Sequence, residues 1–127
     1  YKSYLLKKYM HIFWKICVFF TLLCSHTYLF ASFEIAEVLP NTSDDSNLEY
    51  ITLKNISLSS QSLSGYTLED ASGKRYTFTG GILQSKERKQ FFRPQTKIVL
   101  NNTDEILRLF SNTGSKIDEV SYKTSSK

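Results

Sequence analysis

Lys86, Arg88, Lys89 and Arg93 lie close together in the sequence, interleaved with Glu87, Phe91 and Phe92. Cations beside aromatic rings can hold phosphates and stack bases, so this segment is the best local candidate for a polyanion contact. The plainer reading is a solvated loop with Glu87 in salt bridges and the two phenylalanines in the core. That reading is preferred because residues 32–127 carry no net charge, whereas a nucleic-acid binder needs a broad basic field. Asp44, Asp45 and Glu49, with Asn41 or Asn47, bring together oxygens of the kind that bind Ca²⁺. Their spacing lacks the EF-hand pattern and its glycine, and ordinary polar turn chemistry accounts for them more simply. Asp118-Glu119 and Glu69-Asp70 are adjacent carboxylate pairs. Glycosidase chemistry needs two carboxyls converging on one bond, and neighbours on a strand point to opposite faces.

The remaining catalytic chemistry is excluded by composition. Cys17, Cys24, His11, His26, Trp14 and Met10 are the only residues of their types, and all fall in residues 1–31. The rest of the chain has no thiol and no imidazole. It cannot form a disulfide, a Cys or His metal site, a Cys-His pair or a Ser-His-Asp triad. No cofactor, no metal and no catalytic residue is expected, and the body is read as noncatalytic.

The charge balance separates the same two regions. The 127-residue chain has 16 Lys and Arg against 12 Asp and Glu, a net +4. Lys2, Lys7, Lys8 and Lys15 stand in residues 1–31 without a carboxylate, so this leader accounts for the whole excess. A lysine-headed start, an apolar run through Ile16-Cys17-Val18-Phe19-Phe20 and beyond, and Ala31 before an alternating segment fit a secretory signal peptide. Left uncut, residues 12–31 barely suffice as a membrane anchor, with the lysines cytoplasmic and the body outside. Residues 1–31 are therefore expected to be a signal peptide or membrane anchor, and residues 32–127 an exported domain, extracellular or at the cell surface. Met10 is a sensible start residue, and the chain is expected to be truncated after Lys127.

The elements that must position these side chains are short strands. Ile98 and Leu100, then Leu107 and Leu109, alternate with polar neighbours around Asn101-Asn102-Thr103-Asp104. This pattern predicts a β-hairpin. Residues 33–39, 48–55, 66–69, 74–79 and 116–122 alternate as well, and turn residues separate them: Pro40-Asn41, Asp70-Ala71-Ser72-Gly73, Gly80-Gly81 and Ser111-Asn112-Thr113-Gly114. Leu58 and Leu63 are expected to pin the serine-rich run between them. About eight short strands without an amphipathic helix predict an all-β, antiparallel sandwich preceded by the hydrophobic N-terminal helix.

Five segments in this order resemble the lamin tail domain, the immunoglobulin-like fold of nuclear lamins and of many exported bacterial proteins. They are Ile35-Ala36-Glu37-Val38-Leu39-Pro40-Asn41, Glu49-Tyr50-Ile51-Thr52-Leu53-Lys54-Asn55, Leu63-Ser64-Gly65-Tyr66-Thr67-Leu68 with Asp70 and Gly73, Ile98-Val99-Leu100-Asn101-Asn102 with Asp104, Ile106 and Leu109, and Ile117-Asp118-Glu119-Val120-Ser121-Tyr122 after Gly114. Tyr50 and Tyr66 stand where the family often has tryptophan, and residues 84–93 are more charged than the usual loop. The resemblance implies a binding, tethering or targeting module with no catalytic residues to carry over. The expected partner is a protein or a cell-surface polymer, with nucleic acid less favoured and a membrane contact through an uncut leader. The alternatives are an N-terminal accessory domain of a longer secreted hydrolase or nuclease, separable by the reading frame past Lys127, and a weak nucleic-acid-binding domain.

Overall fold

A computed structural model describes residues 31–40 and 46–123. Residues 1–30 of the leader therefore lie outside the described residues, as do Asn41, Asp44 and Asp45. The described chain is all-β. Its strands are β1 (Phe33–Leu39), β2 (Tyr50–Asn55), β3 (Gln61–Ser62), β4 (Thr67–Glu69), β5 (Arg75–Thr77), β6 (Ile82–Leu83), β7 (Arg88–Phe92), β8 (Asp104–Phe110) and β9 (Lys116–Lys123). A 3₁₀ turn, Ser46–Leu48, precedes β2, and a single helical turn, α1 (Arg93–Thr96), follows β7.

All pairings are antiparallel, in a three-stranded sheet β1-β2-β7, a four-stranded sheet β5-β4-β8-β9 and the small pair β3-β6. Alternation decides which face of each sheet is inside. Phe33, Ile35, Ile51, Leu53 and Phe91 point inward from the first large sheet, and Leu68, Leu107 and Leu109 from the second. They meet in one core with Leu63, Phe78, Leu83, Ile98 and Leu100. Each buried aliphatic or aromatic side chain contributes roughly 1.5–3 kcal/mol, so this shared interior is what holds the layers face to face. In β1 the register slips between Ile35 and Glu37; this bulge returns Val38 to the inner side opposite Ile51.

Most expected strands form, but the hairpin of residues 98–109 does not. Residues 97–103 are not a strand, and β8 pairs with β4 and β9 instead. Lys97 adopts φ 58° at the end of α1 and turns the chain away from β7. From there the backbone N–H groups go to side chains: Ile98 to Thr96 Oγ1 at 3.3 Å, Leu100 to Glu49 Oε2 at 3.2 Å and Asn101 to Glu105 Oε2 at 3.2 Å. Ile98 and Leu100 are buried as their alternation implies, in an irregular crossing segment rather than a ladder. Leu63 is buried, but Leu58 is 90% exposed and pins nothing. The Asp70 turn forms as expected: Asp70 Oδ1 accepts from Ser72 N–H at 2.9 Å and Lys74 N–H at 3.0 Å, with Gly73 at φ 84°.

Candidate functional site

The cationic segment is held in place by a buried amide. Asn55, at the end of β2, is fully buried; its Nδ2 reaches the carbonyls of Ser59, Leu83 and Gln84 at 2.8, 2.9 and 3.0 Å, while its Oδ1 accepts from Ser57 N–H at 2.9 Å. It ties β2 to the turn between β6 and β7. Within that turn Glu87 Oε2 accepts from Gln84 N–H at 2.6 Å, and Lys86, at φ 64°, donates its Nζ to the Ile56 carbonyl. Arg88 and Lys89 then open β7, both exposed.

The four candidate cations do not gather at one point. Lys86, Arg88 and Lys89 share one end of β7. Arg93 lies at its other end, roughly 16 Å away at strand rise, where its Nη1 meets Glu49 Oε1 at 3.2 Å. The aromatics divide too. Phe91 is in the core, edge-on to Phe78 at 4.8 Å, and Lys89 Nζ stands 5.8 Å from the Phe91 ring centre. Phe92 is 41% exposed on the outer face, 5.6 Å from the Tyr50 ring.

That outer face of β1-β2-β7 is graded from end to end. Register sets Glu34, Lys54 and Arg88 in one row, Glu37, Thr52 and Gln90 in the next, and Leu39, Tyr50 and Phe92 in the last. Lys54 pairs with Glu34 at 3.5 Å, and Tyr50 donates its hydroxyl to Glu37 Oε1 at 2.9 Å. The face thus runs from cations through polar groups to an apolar end, where Leu39 is 43% exposed and the neighbouring Leu48 53%.

The carboxylates are engaged in building the fold. Glu49 is buried and uses both oxygens, one on Arg93 and one on the Leu100 N–H. Among the described residues no group of His, Cys, Asp and Glu is arranged to hold a metal ion. Buried Glu105 takes the Ala71 N–H at 2.8 Å and the Asn101 N–H at 3.2 Å. Adjacent carboxylates diverge: Asp118 accepts from Ile35 N–H, whereas Glu119 pairs with Arg108 at 3.1 Å and Lys116 at 2.8 Å. Beside Glu105, Tyr122 lines a cleft of about 390 Å³ and donates its hydroxyl to the Asn101 carbonyl. Burial, and then the charges of Glu105, Glu49 and Asp104, push the Tyr122 phenol up to about 12.

One feature of the other sheet escapes a reading by segments. Glu69 bonds Arg75 and Arg108, Arg108 bonds Glu119, and Glu119 bonds Lys116, a charge ladder of alternating sign across β5-β4-β8-β9. Each residue is ordinary in its own strand, and only the register brings them into line.

The family model for the lamin tail domain matches residues 30–124. The chain belongs to the lamin tail domain family. No curated protein matches it. Lamin tail domains are in general noncatalytic immunoglobulin-like binding modules. At the positions where lamin tail domains often carry tryptophan, Tyr66 packs edge-on against Phe33 at 4.9 Å and Tyr50 against Phe92. The smaller rings supply the same kind of apolar face.

Proposed function

We propose that this lamin tail domain is an exported binding and tethering module, carried outside the cell by its lysine-headed leader and acting on a protein or a cell-surface polymer without chemistry. The graded outer face of β1-β2-β7 supports this reading best. It sets the unpaired cation of Arg88, hydrogen-bonding side chains and half-exposed Leu39 and Phe92 on one sheet, a mixture suited to contact with a macromolecule.

Cell fractionation of the full chain tests the proposal, together with mass spectrometry of its mature N-terminus. Expected is recovery outside the cell or in the membrane fraction, with residues 32–127 open to added protease on intact cells. Recovery in the cytosol alone would overturn it. Leu39→Ser with Phe92→Ser should weaken retention at the surface and leave export unchanged.

A further inference from the structure

We propose that the open edge of β7 takes up an extended acidic segment of a partner protein as an added antiparallel strand. This rests on the binding-module reading and names the partner's chemistry. Two hydrogen bonds set the phase of β7. Asn55 N–H donates to the Glu87 carbonyl at 2.9 Å, and Arg93 N–H donates to the Glu49 carbonyl at 3.0 Å. Glu87, Lys89, Phe91 and Arg93 therefore turn their backbone groups toward β2, and Arg88, Gln90 and Phe92 turn theirs to the opposite side. Among the described residues no strand pairs there, and Arg88, Lys89, Gln90 and Phe92 are all exposed.

The other edges differ. β1 has its Ile35 N–H taken by Asp118, β9 packs beside β1, and β3, β5 and β6 are only two or three residues long. Among the described residues, β7 offers a row of backbone donors and acceptors along a five-residue edge.

Charge selects the occupant. Arg88 and Lys89 make no ion pair with a carboxylate among the described residues, Lys86 is bound through a neutral carbonyl, and Lys54, level with Arg88, has only the 3.5 Å contact to Glu34. Like charges on a sheet edge repel a second copy of the same edge, which is how exposed edges are protected from self-pairing. The same charges favour a strand with carboxylates opposite Arg88 and Lys89. Because these two neighbours face opposite sides of the sheet, two consecutive acidic residues match them, and an apolar residue fits opposite Phe92.

The test uses the full chain and a capped peptide, Thr-Val-Thr-Val-Glu-Glu, whose acidic end meets Arg88 and Lys89 in antiparallel register and whose first Val falls opposite Phe92. Amide spectra should shift most at Arg88, Gln90 and Phe92, and those three N–H groups should gain protection from exchange. Arg88→Glu with Lys89→Glu should weaken binding at least tenfold, as should replacing the peptide's second Val, which lies opposite Gln90 and turns its N–H toward β7, by Pro at unchanged charge. Gln90→Pro, which removes an outward N–H and none that faces β2, should do the same while the other strands keep their spectra. Equal binding by the Pro-containing peptide, or by a single-stranded oligonucleotide of the same net charge, would mean a polyanion patch and would overturn strand addition. So would the absence of any shift along β7. Either result would leave the surface location of the chain intact, so this proposal can fail without the export reading failing.

Discussion

Asp118 Oδ2 lies 2.6 Å from the backbone nitrogen of Ile35, 83 residues earlier in the chain. The bond joins β9 of one sheet to β1 of the other and occupies a donor on the outer edge of β1. It both closes one side of the sandwich and removes a site for unwanted strand pairing. Asp118→Ala should therefore cost about 1.5–3 kcal/mol, the range for a hydrogen bond to a charged group, and raise the tendency to aggregate. Asp118→Asn keeps an acceptor and should lose less than half as much. Urea denaturation of the two variants, followed by light scattering at rising protein concentration, checks both effects.

Glu49 and Arg93 form the second long-range tie. Glu49 is buried, and its other oxygen holds the Leu100 N–H, so the pair fixes both α1 and the crossing segment after it. Removing one member of a buried pair leaves the other uncompensated, at a cost of about 3–5 kcal/mol; the partial exposure of Arg93 puts Arg93→Ala at the lower end. Glu49→Leu should cost more, because Arg93 and the Leu100 N–H both lose their acceptor. Thermal unfolding of the two variants gives the order, and Glu49→Gln should fall between them and the native chain.

These ties explain what the sequence made legible. Alternation in residues 33–39, 48–55 and 116–122 marks true strands, the second of them starting only at Tyr50, because burial on one sheet face produces that pattern directly. The same alternation at Ile98 and Leu100 marked burial correctly and pairing wrongly. A buried segment needs its N–H groups satisfied but not by a neighbouring strand, and here Thr96, Glu49 and Glu105 supply the acceptors. Two of the three are glutamates distant from the segment or offset from it, whose role no local pattern announces. The cationic run of residues 86–89 was visible as composition; its division from Arg93 depends on which carboxylate Arg93 reaches.

Glu119 offers a direct reading of the charge ladder. The hydrogen bond from Lys116 Nζ at 2.8 Å holds its carboxyl below the usual value, with Arg108 adding a smaller part against some desolvation. A carboxyl depressed in the folded state contributes stability above its unfolded value of 4.5, and that contribution is lost as pH falls through the folded value. NMR titration should find the Glu119 carboxyl rising toward 4.5 in Lys116→Ala, and rising by less in Arg108→Ala. Raising the salt to about 1 M should shrink both effects, because surface pairs are screened.

Tyr122 makes the fold sensitive to alkali. Its phenol rises from 10.0 to about 12 in the folded chain, first through burial and then through Glu105, Glu49 and Asp104. A group that holds its proton more tightly when folded stabilises the fold fully below its unfolded value. It then loses that contribution as pH climbs from about 10 to about 12. Ionised Tyr122 could no longer donate to the Asn101 carbonyl, and its charge would face Glu105 across the same cleft. Stability measured by urea at stepped pH should therefore fall between these values. Tyr122→Phe should flatten that fall, at the cost of about 1 kcal/mol at neutral pH for the lost hydrogen bond. A native chain whose urea midpoint is as insensitive to pH in this window as the Phe variant would show that the phenol is not held neutral by its surroundings.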